Sequence, residues 1–137
     1  MKRFLPISFV LIGLNLMIAR VLYPSNGPEV FSDAWETISG LGNMENNPIG
    51  FIFFQIAMVI SGVVIIPVAQ EVKKTMIELQ KANGIIGIIF LYLGAIGFLL
   101  TGLIPDDTLP IKKLHEITAG LGFGGVLFAA FFLFWPS

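Results

Sequence analysis

Few side chains in this 137-residue sequence could do chemistry, and most lie near the ends of long apolar runs. The single histidine, His115, stands beside Glu116, with Asp106 and Asp107 a short way upstream. A histidine next to a carboxylate can carry a proton or act as a general base. One histidine and no cysteine do not build the usual zinc site, and no Gly-x-Ser-x-Gly elbow or paired-carboxylate arrangement supplies a nucleophile. Asp106, Asp107 and Glu116, with backbone oxygens, form an inventory for a hard cation. The simplest reading of His115 is an interfacial residue hydrogen-bonded across loops; a ligand contact and a catalytic role are the alternatives. Arg20 lies about sixteen residues beyond Phe4, near the boundary of the first apolar run. There its guanidinium can snorkel to an anionic headgroup or meet Glu29, Asp33, Glu36 or Asp106. Asn15, Gln55, Ser61 and Thr101 fall within the runs, and interhelical hydrogen bonds worth about 0.6–2 kcal/mol each are expected of them.

The elements that must position these groups are apolar runs at residues 4–23, 49–69, 84–104 and 117–135. At about 1.5 Å per residue, some twenty helical residues cross a hydrocarbon core roughly 30 Å thick. Hydrophobic residues make up 55% of the chain and charged residues 12%, half or less of what a soluble domain carries, so the surface must face lipid. The expected fold is all-α: a polytopic four-transmembrane-helix bundle forming a single domain over 1–137. A net charge of −1 gives no reason to expect nucleic acid as a partner, and no cofactor or metal is expected. Lys2 and Arg3 ahead of the first run imitate a secretory signal peptide, but the run is longer than a signal core and no small-x-small cleavage site follows. Lys2, Arg3, Lys73, Lys74 and Lys81 flank one side of the spans. The long first loop carries Glu29, Asp33, Glu36 and Glu45 without Lys or Arg, which puts both termini in the cytoplasm. Lys112 and Lys113 in the last loop dissent from that count.

Residues 28–38 place Val30, Phe31, Ala34, Trp35 and Ile38 on one stripe, the pattern of a short amphipathic helix in the outer interface. Residues 70–82 read as helical continuation beyond the membrane, with Lys74 and Glu78 in register. The motif E-x-x-x-G-L-G occurs twice, at Glu36–Gly42 and Glu116–Gly122, and the Gly13–Pro24 separation recurs as Gly94–Pro105. Two similar helical hairpins, parallel repeats about an axis along the membrane normal, would explain both, with equivalent glycines meeting near that axis; chance matching among Gly- and Leu-rich spans is the alternative. Gly120 and Gly124 form a small-xxx-small step, and Gly87, Gly94 and Gly97 lie close to one face of the third span, so packing is their expected role. Gly120–Gly125 also satisfies G-x-G-x-x-G. That fingerprint works only between a strand and a helix, and here it lies inside an apolar helix.

The stretch Ile38-Ser39-Gly-Leu-Gly42, then Asn47-Pro48 and the Phe51/Phe53/Phe54 entry to the second span, resembles the DRAM-like, GPI-remodelling superfamily of multi-pass membrane proteins and its prokaryotic relatives. Gly102-Leu-Ile-Pro105 and His115 are similar to that family's outer-loop Pro and helix-opening His. Family members usually have five or six spans, against four here. The resemblance implies a lipid-associated membrane protein without an agreed catalytic motif. Its expected site is an outer-leaflet pocket of Arg20, Glu36, Ser39, Asn47, Asp106 and His115, with one cation for phosphate and donors and acceptors for sugar, amine or glycerol. Membrane lipids are the expected partners. An accessory subunit of a larger membrane complex or homo-oligomer, packing through its Gly- and Phe-rich faces, is the alternative. A small transporter or channel protomer is the third reading, although only Asn15, Gln55 and Ser61 offer polar groups near the midplane.

Overall fold

A computed structural model describes residues 4–24, 38–78, 82–106 and 110–134. Within them lie four long helices, α1 (Phe4–Val21), α2 (Gly50–Glu78), α3 (Ala82–Leu103) and α4 (Ile111–Phe134), and a 3-10 helix, Ile38–Gly42. All four are long and apolar enough to cross a membrane, so the chain is a multi-pass integral membrane protein. Proline punctuates them. Pro6 sits in the first turn of α1, Pro48 and Pro110 stand just ahead of α2 and α4, and Pro24 and Pro105 follow the ends of α1 and α3. Among the described residues, Pro67 lies in the interior of a span, where its missing N–H leaves the Val63 carbonyl without its helical donor.

Each helix packs on the next in sequence. The most extensive contact joins α3 and α4, then α2 and α3, while α1 leans on α2 and on the 3-10 helix. Glycine explains the tightness of the α3–α4 seam. A methyl group at Gly97 would meet the Gly122 backbone, with its Cα at 2.6 Å, and one at Gly125 would meet the Gly94 Cα at 2.7 Å. The close approach thus uses Gly87, Gly94 and Gly97 of α3, as the sequence implies, but Gly122 and Gly125 of α4. Gly120 and Gly124 face open space, so the small-xxx-small step is not part of this seam and Gly120 meets no equivalent glycine. Toward solvent or lipid the helices expose a broad apolar surface, including Val21, Leu127 and Phe134. In a bilayer that surface has the solvent it suits.

Several boundaries differ from the sequence expectation. α2 runs unbroken to Glu78, so the expected continuation is helical over 70–78, with 79–81 outside the described residues, but Lys74 pairs with Glu71 at 2.9 Å rather than with Glu78. α4 starts six residues earlier than the apolar run, because Lys112, Lys113, His115 and Glu116 join its first two turns instead of the loop. The two E-x-x-x-G-L-G copies differ in local structure: residues 38–42 form the 3-10 helix, whereas 116–122 lie inside α4. The amphipathic segment 28–38 falls outside the described residues except for Ile38.

Candidate functional site

One end of the protein is organised by Asn47, whose side chain is wholly buried. Its Oδ1 accepts the Gly50 N–H at 3.1 Å and its main-chain carbonyl accepts the Phe51 N–H at 2.9 Å, so Asn47 caps the N-terminus of α2 through the turn that Pro48 opens. Its Nδ2 donates to the Ala19 carbonyl at 3.0 Å and to the Leu41 carbonyl at 2.9 Å. One amide therefore caps α2, ties down the last turn of α1 and holds the 3-10 helix between them. Gly50 must be glycine-sized here, because a β-carbon would fall on the Asn47 amide. We call this the capped end.

The α3–α4 connection joins the same end. The Asp106 N–H donates to the Gly42 carbonyl at 3.0 Å, a short parallel bridge beside Asn43, and Asp106 itself is largely buried. Phe54, fully buried, fills the middle. Its ring lies where a β-carbon on Gly42 would stand, 2.5 Å from Cδ1, and its centroid is 6.1 Å from that of His115. Ala19, Tyr23, Leu41, Ala57, Met58 and Phe98 complete this packed layer.

His115, on the second turn of α4, is also fully buried. Its Nδ1 lies 2.6 Å from the Ile104 carbonyl oxygen, which can only accept, so Nδ1 carries the hydrogen. In the neutral ring that tautomer makes Nε2 an acceptor. Nε2 is buried and has no hydrogen-bond partner among the described residues. One turn further, Thr118 donates to the His115 carbonyl at 2.9 Å, and the Thr101 hydroxyl lies 3.2 Å from that of Thr118 and 2.8 Å from the Gly97 carbonyl. A polar thread thus runs from α3 to α4 beneath the histidine.

Of the expected pocket, the structure brings Asn47, Asp106 and His115 to one end, with Arg20 half-buried in the last turn of α1 next to the Ala19 carbonyl that Asn47 holds. Ser39 belongs to the 3-10 helix; Glu36 lies outside the described residues. The carboxylates separate by environment: Asp106 is buried and Glu116 is exposed on α4. Among the described residues, no three His, Cys, Asp or Glu side chains converge as a metal site. Of the intramembrane polar residues, Asn15 and Ser61 bond to their own helix, at Leu11 and Ala57, and Thr101 makes the interhelical bond. Thr118 is the member that sequence reasoning missed, and Phe54 entered it only as part of the Phe-rich entry to the second span. The signal for Thr118 was its i+3 spacing from His115, which puts both on one face of a helix.

The chain matches no protein-family profile, no curated protein and no solved structure. Its function has to be read from its own geometry.

Proposed function

We propose that this membrane protein recognises a bilayer lipid by its headgroup at the capped end and does no chemistry on it. The observation that carries the reading is His115, a wholly buried ring that gives its Nδ1–H to Ile104 and keeps Nε2 without a partner among the described residues. A buried polar atom left in that state costs about 1–3 kcal/mol, a penalty that a donor-bearing ligand such as a hydroxyl or amine removes. Arg20 supplies the cation for a phosphate, and Asp106 supplies an acceptor. Asn47 fixes the frame, since its amide is already committed to Ala19, Leu41 and Gly50. With both termini cytoplasmic, the site lies in the outer leaflet. The DRAM-like resemblance of residues 38–54 and 102–128 favours the same lipid role. On that reading the two hairpins descend from one unit.

The test is thermal unfolding of the purified protein with lipids that share acyl chains but differ in headgroup: phosphatidylglycerol, phosphatidylethanolamine and a glycolipid. One class should raise the Tm more than the others. His115→Asn places an amide N–H near the position of Nδ1 while deleting Nε2, so it should remain folded and lose that increment, as should Arg20→Ala. Equal increments for every headgroup, or an undiminished increment in His115→Asn, would refute the proposal and favour the accessory-subunit reading.

A further inference from the structure

A second feature lies in the middle of the spans and in the half away from the capped end. A half-open cavity of about 320 Å³ is lined by Leu5, Phe9 and Ile12 of α1, by Ser61, Val64, Ile65 and Val68 of α2, by Leu91 and Phe98 of α3 and by Val126 of α4. It forms where two packed clusters part. Phe98 belongs to the layer around Phe54, Leu91 to a layer with Ala69 and Ala129, and Ile65 touches both. α1 provides the remaining wall but is anchored at its other end, through Ala19 and Tyr23. The lining carries one polar side chain, Ser61, whose hydroxyl is turned to the Ala57 carbonyl at 2.8 Å. Its hydrogen is thereby used, and the Ser61 oxygen alone remains to accept, too little for a headgroup, an ion or a polar solute.

The shape is as informative as the lining. Leu5 to Ile12, Ser61 to Val68 and Leu91 to Phe98 are each seven residues apart, so the cavity extends about 10 Å along three helix axes. A slot that is long, apolar and parallel to the spans matches a stretch of hydrocarbon chain, not a compact ring. Its depth fixes the source, because the wall residues lie within all four apolar spans, where acyl chains are the surrounding solvent. We infer that this cavity is an intramembrane site for one acyl chain of a bilayer phospholipid, inserted between α1 and the α2–α4 layer. The site uses none of the capped-end residues and stands or falls separately from headgroup recognition.

The experiment reconstitutes the full chain in bilayers of phosphatidylcholine carrying a photoactivatable diazirine near the middle of one acyl chain, and maps the crosslinked residues by peptide mass spectrometry. Label should concentrate on Ser61, Val64, Val68 and Leu91 above the outward-facing Val63 and Ile89, although Val64 and Leu91 are the more buried positions. Val64→Phe, which fills the slot, and the milder Ser61→Leu should each reduce cavity labelling to the level of outward-facing positions. Val63→Phe should leave it unchanged. Label that simply follows exposure, or cavity label that survives both filling variants in folded protein, overturns the inference. So does a crosslink from these positions to a second protein chain. Loss of headgroup selectivity with cavity labelling intact would count against the capped-end reading alone.

Discussion

Replacing Asn47 with alanine should destabilise the protein by about 3 kcal/mol. The figure is built from three hydrogen bonds made by one fully buried side chain. The cap on Gly50 contributes about 1 kcal/mol, and each donation to Ala19 and Leu41 contributes about 1 kcal/mol. The loss is not uniform. α1 packs chiefly on α2 and the 3-10 helix, so cutting the tie to the Ala19 carbonyl should loosen α1 before the α3–α4 seam gives way. Asn47→Asp separates the cap from the ties. It keeps the acceptor for the Gly50 N–H and adds a negative charge at a helix N-terminus, worth about 0.3–1 kcal/mol. It also sets a buried carboxylate oxygen against two carbonyl oxygens that had received hydrogen bonds. Asn47→Asp should therefore be no more stable than Asn47→Ala. Reversible unfolding in mixed micelles, followed by circular dichroism, gives the comparison. Stability of the alanine variant within about 0.5 kcal/mol of the parent, or full recovery with aspartate, would refute this account of the capped end.

The remaining predictions concern packing and topology. Gly97→Ala should disrupt the α3–α4 seam and sharply lower the Tm, because its methyl group meets the Gly122 backbone, whereas Gly124→Ala should be tolerated in open space. Gly42→Ala should also destabilise, since Phe54 is held between Gly42 and His115 and has no free direction in which to yield. Because the chain has no cysteine, single-cysteine labelling gives a clean topology test. In intact cells an impermeant maleimide should modify Glu45→Cys and spare Lys74→Cys; the reverse pattern would invert the orientation.

The spans were legible because a run of twenty apolar residues has little other use, and the polar ends were legible because charge collects there. What pattern alone did not give was register at the ends. The first two turns of α4 carry Lys112, Lys113 and Glu116, which resemble a loop by composition, yet these side chains are exposed on a helix whose other face buries His115. The glycine seam shows a similar limit. Gly120 and Gly124 have the spacing of a packing motif, but the neighbour lies on the side of Gly122 and Gly125, and only the placement of α3 decides between them. Asn47 and His115 were visible as polar residues at span boundaries. That one amide would cap a helix and tie two other elements depends on Ala19 and Leu41, far from it in sequence or folded back by the 3-10 helix. The central cavity left no trace in any single segment, because its wall is assembled from all four helices.

The central claim, recognition of a lipid headgroup at the capped end, is most directly tested by native mass spectrometry of protein gently extracted from its own membrane, with companion chains and retained small molecules read from one spectrum. The account predicts a lone or self-associated chain that retains one headgroup class and loses that selectivity in Arg20→Ala and His115→Asn. Stoichiometric foreign subunits with no selective lipid would contradict it.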